Sequence, residues 1–206
     1  MNEFQKIKTT EFWQSFSNNI TSFQQITSPE DTPYEQALGN LQEIDEGLWI
    51  EYCLDPGGNE LVITAEGKEN LFPLVEEIVK LAPEINGWTF TALKPKLGFP
   101  VSTQYEGVTI EIGSIVFDPL FSDNDQGLGL RIYVPGIKND QIINATNGLL
   151  TALDHGLGER YFSEQIQHIE VCCLDDTIDP DEFIPLTDLE KYINWRLEKL
   201  KTGQSS

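Results

Sequence analysis

The sequence predicts an α+β protein: two strand-strand-helix-strand units forming mostly antiparallel sheet with helices on one face, plus N- and C-terminal helices. Three observations lead there. Leu48–Lys94 contains two strand-like runs, an amphipathic run and a further alternating run. Val108–Cys173 repeats that element order, though with little identity between the halves. The flanking segments beginning at Thr10 and Thr187 space their apolar residues at helical intervals. A chain of 206 residues suits one domain over 1–206, with an internal pseudo-repeat of 48–94 and 108–173.

The first helix is expected over Thr10–Phe23, where Phe12, Phe16, Ile20 and Phe23 share a stripe beside Trp13. Thr32 is placed to cap a second helix, with Pro33 at its first position and Glu35 completing a capping box. Tyr34, Leu38, Leu41 and Ile44 form its apolar side, and Gly47 ends it. Leu48–Leu54 alternates as a strand, and Asp55–Asn59 reads as a hairpin loop. Leu61–Ala65 reads as a strand buried on both faces. The central helix spans about Leu71–Ala82, with Leu71, Leu74 or Val75, Ile78 and Leu81 inward, Pro73 in its first turn and Pro83 as its stop. Gly87 turns the chain into the strand Trp88–Lys94.

Leu97–Gly107 reads as a loop and Val108–Ile112 as an alternating strand. Ser114–Phe117 fits a strand or a helical turn ending before Asp118-Pro119, and Ser122–Gln126 reads as an exposed turn. Leu128–Val134 alternates, with Arg131 and Tyr133 outward. Asp140 is placed to cap a helix carrying Ile142, Ile143, Leu149, Leu150 and Leu153, closed by Gly156. Ile166–Cys173 is the last strand, with His168 and Glu170 outward. After the acidic loop Asp175–Glu182, Thr187 and Glu190 frame a second capping box for the final helix. Core placement is the expectation for Trp13, Trp49, Trp88 and Trp195 alike.

The charge balance narrows the partners. There are 34 acidic residues against 13 basic, a net charge of −21. Such a surface repels phosphate backbones and anionic lipid, so neither nucleic acid nor membrane is an expected partner. A basic protein is the partner this field favours; the plain alternative is that the charge serves solubility alone. The N-terminus lacks the apolar run of a signal peptide, and no window holds the long apolar stretch of a membrane span, so a cytoplasmic location is expected. Cys53, Cys172 and Cys173 lie in strand-like runs and read as sheet or core residues rather than a disulfide framework.

Catalytic and metal motifs are missing. His155 and His168 are the two histidines, and both read as polar surface residues. His168 and Cys172 lie too far apart along an extended strand to share one metal ion. There is no nucleophile elbow, no phosphate loop and no dinucleotide fingerprint. With Gly127 at the sixth position of an EF-hand loop, no carboxylate falls in register and the closing glutamate is missing. No cofactor, metal site or catalytic residue is assigned. The candidate binding residues are those of the polar sheet face: Thr89, Thr91, Arg131, Tyr133 and His168, with Glu51, Glu111 and Glu170 beside them.

The segments LVITAEG…LFPLVEEIVKLAPEINGWTFTALKP, GLRIYVPGI, LLTALDHGLGE and PLTDLEKYI resemble a family of bacterial proteins of unknown function, over most of Leu48–Ile193. The resemblance implies a bacterial, intracellular, single-domain protein and no particular activity. The function expected first is a non-enzymatic protein-interaction module, in its most specific form an immunity-type inhibitor covering a basic site. The alternatives are a hydrolase-type enzyme with an acidic site outside the known motifs, and a small cation-binding module built on the acidic loop.

Overall fold

The computed structural model describes residues 1–55, 57–121, 127–174 and 179–203. They form an α+β chain that divides into two compact units, Met1–Pro95 and Lys96–Ser206, each with its own hydrophobic core.

The first unit opens with helices α1 (Glu3–Asn18), α2 (Ile20–Phe23) and α3 (Thr32–Gln42). Then come strands β1 (Trp49–Asp55) and β2 (Gly58–Thr64), helix α4 (Phe72–Lys80) and strand β3 (Trp88–Ala92). β1 and β2 form an antiparallel hairpin, and α4 carries the chain back so that β3 runs parallel to β2. One sheet face is apolar because alternate residues fall in register: Ile50 beside Ile63, Tyr52 beside Leu61, Leu61 beside Phe90. That face packs on Phe12, Trp13 and Phe16 of α1, Leu41 of α3, and Val75 and Ile78 of α4. Each fully buried aliphatic or aromatic side chain among them contributes about 1.5–3 kcal/mol. β2 is buried on both faces, as its sequence predicts.

The second unit contains strands β4 (Ser102–Tyr105), β5 (Val108–Glu111), β6 (Val116–Leu120) and β7 (Leu128–Pro135). Helices α5 (Ile142–Leu157) and α6 (Glu159–Gln165), strands β8 (Ile166–Leu174) and β9 (Ile184–Pro185), and helix α7 (Leu189–Lys201) complete it. The main sheet has the order β8-β7-β6-β9. β6 and β7 are antiparallel, and β8 returns parallel to β7 after α5 and α6, the same plan as β1-β2-α4-β3. Phe117, Leu130, Ile132 and Val171 pack on Leu149 and Leu153 of α5 and on Leu189 and Ile193 of α7.

Several boundaries differ from the sequence expectation. α1 begins at Glu3, not Thr10, because Asn2 and Gln5 form a reciprocal cap. Neither expected capping box forms. The N-cap of α3 is Asp31, and its carboxylate accepts from the Thr27 and Ser28 amides in the preceding turn. Those two hydrogen bonds, Thr27 first, hold its pKa below the ordinary carboxylate range. α7 starts after a 3-10 turn, and Glu190 instead meets the Lys96 ammonium at 2.6 Å. The expected loop Leu97–Gly107 contains β4, which pairs with β5 through Glu106 and Gly107, both at positive φ. Val108–Glu111 therefore belongs to a separate hairpin, and the counterpart of β1 in the second plan is β6.

β6 runs through Asp118-Pro119, which the sequence reading places beyond its end. Among the described residues β9 pairs with Val116 and Phe117 and nothing pairs with the outer side of Pro119, where a missing N–H is tolerated. Gly156 does not close α5; it is buried inside the helix, where an added Cβ would lie 2.4 Å from the Phe99 ring. Gly158, at φ +81°, ends the helix. Leu81, expected inward, is exposed, and so are Ile143 and Leu150 of α5. Of the tryptophans, Trp13 (4% exposed) and Trp88 (9%) are core, while Trp49 (42%) and Trp195 (46%) reach the surface.

Candidate functional site

In each unit the helices cover one sheet face, and the opposite face carries the polar residues that strand alternation assigns to it. The first unit presents Thr89, exposed, and Thr91, half-buried. Thr89 pairs in register with Glu60 and Thr91 with Val62. The Thr91 hydroxyl donates to the Glu60 carboxylate. Lys94 lies at the end of this face with its ammonium 3.3 Å from Glu51 and 3.0 Å from Glu66. Cys53, Asp55, Asn59, Glu60 and Thr89 line a shallow hollow of about 360 Å³ beside the hairpin.

The second unit presents Arg131, Tyr133 and His168 on the open face of β7 and β8. Arg131 Nε donates to Glu170 Oε2 at 2.9 Å, as expected for residues directly opposite in the parallel ladder. The Glu170 carboxylate and then the Tyr133 hydroxyl raise the Arg131 pKa further. The Phe183 ring packs on Tyr133 with centroids 4.7 Å apart. Burial, then the Glu170 charge, raises the Cys172 thiol pKa, which disfavours the nucleophilic thiolate. His168, opposite Gly129 at the register shift, is exposed. The structure thus brings Arg131, Tyr133 and His168 onto one sheet face, and Thr89 and Thr91 onto another. The arginine on the former is already matched by a carboxylate.

Sequence reasoning missed a second feature of the first unit. Two hollows of about 400 and 590 Å³ share Pro83. The smaller is lined by Thr9, Trp13, Gln14, Ser17 and Leu81, among others. The larger runs past Val79, Glu84 and Ile85 to Trp88 and Phe90. Trp13 and Phe90 pack edge to face at 4.8 Å between them. Trp13 Nε1 donates to the Ile78 carbonyl at 2.9 Å, whereas the buried Nε1 of Trp88 has no partner among the described residues. Alternation marks Trp88 and Phe90 as inward in the sequence, but an aromatic pair at the rim of a cleft reads the same as one in a sealed core.

Among the described residues, no group of three histidine, cysteine or acidic side chains is placed to hold a metal ion, and no helix is long and apolar enough to cross a membrane. Of the acidic loop, Asp175–Ile178 lie outside the described residues, as does the Ser122–Gln126 turn. The remainder forms a short turn in which Asp179 accepts from the Asp181 amide at 3.0 Å. A scan against protein-family models returns no match, and a search of curated proteins returns none either.

Proposed function

We propose that this protein is a non-enzymatic, cytoplasmic interaction module that binds a basic protein, in its most specific form as an immunity-type inhibitor. The observation that carries the reading is how the few cations are used. Lys8 contacts Glu11 and Glu43, Lys94 contacts Glu51 and Glu66, and Lys96, Arg131, Arg160 and Lys191 each contact an acid. With those cations matched locally, the surplus behind the net charge of −21 is left as a field that attracts positive surfaces and speeds their encounter. The resemblance to bacterial proteins of unknown function supports the location.

The test is affinity capture with the intact protein from a bacterial lysate, followed by identification and elution in rising salt. The reading expects a basic protein that is retained at about 0.05 M salt and released by about 0.5 M, where screening is nearly complete at contact range. Retention of no basic protein, or elution indifferent to salt, would overturn it.

A further inference from the structure

We propose that the free edge of β3, together with the cleft at Trp88, is a docking site for an extended segment of a partner in which apolar and basic residues alternate. This rests on the basic-partner reading and names the place and mode of contact. Among the described residues β3 pairs with β2 alone. The Asn59 amide donates to the Gly87 carbonyl at 2.8 Å, and the Leu93 amide donates to the Ile63 carbonyl at 2.8 Å. In a parallel ladder that phase turns the backbone groups of Thr89 and Thr91 toward β2. It leaves the Trp88 carbonyl, both groups of Phe90 and the Ala92 amide pointing away from the sheet. They form a short row of donors and acceptors of the kind that accepts an added strand.

The opposite edge of the same sheet is partly covered at its start. The Tyr34 hydroxyl donates to the Ile50 carbonyl at 3.0 Å, and the Gln42 amide group donates to the Leu48 carbonyl just before β1 at 3.2 Å, so α3 covers the beginning of that edge. Among the described residues, no helix side chain of this unit is hydrogen-bonded to the outward backbone groups of β3.

The cleft supplies the second, independent observation. Trp88 is about nine-tenths buried, and its Nε1–H has no acceptor among the described residues. An unpaired buried donor is costly and rare. A side chain entering the hollow of about 590 Å³ beside Trp88 and Phe90 would cover apolar surface and alter the surroundings of that indole.

The chemistry of the occupant follows from the two faces of the edge. Side chains of an added strand alternate. One set falls on the side of Val79, Pro83, Ile85 and the Trp88 and Phe90 rings, whose only charged neighbour in the lining is Glu84. The other set falls on the side of Thr89, Thr91 and the Glu60 carboxylate. Apolar residues suit the first side and basic residues the second.

The experiment uses the full chain and a heptapeptide alternating lysine with valine or isoleucine, followed by NMR. Docking should shift the Trp88 indole resonance and slow exchange of the Phe90 amide. The Thr89 and Thr91 amides, already in the ladder, should change little. N-methylating the peptide at the positions that face β3 should weaken binding about tenfold or more through two lost hydrogen bonds, while methylating the alternate positions should not. Trp88→Phe should weaken binding with the fold intact by circular dichroism. If the peptide fails to bind, or binds without touching Trp88 and Phe90, or ignores the methylation pattern, the edge inference is wrong. The salt-dependent capture of a basic protein is unaffected by that result and tests the broader reading separately.

Discussion

Replacing Trp13 and Trp88 separately by phenylalanine should give unequal losses of stability, although both are buried in one aromatic cluster. Each substitution removes a few buried ring carbons, a loss of about 2 kcal/mol by the transfer value for buried apolar groups. Trp13→Phe also deletes the hydrogen bond from Nε1 to the Ile78 carbonyl, worth about 1 kcal/mol net. That carbonyl keeps the Leu81 amide as a donor, so it is not orphaned and no further penalty arises. The expected total is about 3 kcal/mol. Trp88→Phe removes a donor that has no acceptor among the described residues, relieving a desolvation penalty of about 1–3 kcal/mol and offsetting most of the ring loss. The two variants should therefore differ by about 2 kcal/mol or more in urea unfolding followed by tryptophan fluorescence and circular dichroism. Equal losses, or a larger loss for Trp88→Phe, would mean that the Trp88 indole N–H is already satisfied.

Further outcomes can be checked with single variants. Gly156→Ala should destabilise the second unit by about 1–3 kcal/mol in thermal melts, because the new methyl would lie 2.4 Å from the Phe99 ring, whereas Gly148→Ala, whose nearest neighbours lie at 3.5 Å, should be tolerated. The Asp31 carboxylate, with its pKa lowered from 3.8, contributes stability that is present above that value and lost as pH falls through the folded-state value. Asp31→Asn should therefore be less stable than wild type at neutral pH, and the gap should close in acid; a gap constant with pH would contradict the assignment. In timed alkylation with mass spectrometry at neutral pH, exposed Cys53 should react well before Cys172, whose pKa is raised by burial.

Much of the fold could be read from periodicity. Leu128–Val134 alternates in the sequence and its burial alternates in the structure, because both report the two-residue period of a strand with one covered face. The residues assigned to the polar face, Thr89, Thr91, Arg131, Tyr133 and His168, fall there for the same reason. What periodicity cannot supply is register. The Arg131–Glu170 pair depends on how β7 and β8 align, and a bulge at Leu128–Gly129 sets that alignment.

The capping boxes failed through competition. Asp31 is bonded within the turn before α3 and serves as its N-cap, and Glu190 is held by Lys96, which lies far away in sequence. The β4–β5 hairpin went unread because its turn uses Glu106 at positive φ, a residue far less suggestive there than asparagine or aspartate. The cleft at Trp88 was invisible because a free strand edge is a fact of topology, not of local composition.

The most direct test of the account is the affinity of the intact protein for its captured partner as a function of salt. The account predicts a basic partner whose affinity falls steeply between about 0.05 and 0.5 M salt, chiefly through slower association. An affinity that stays flat across that range would contradict an interaction organised by the acidic surface.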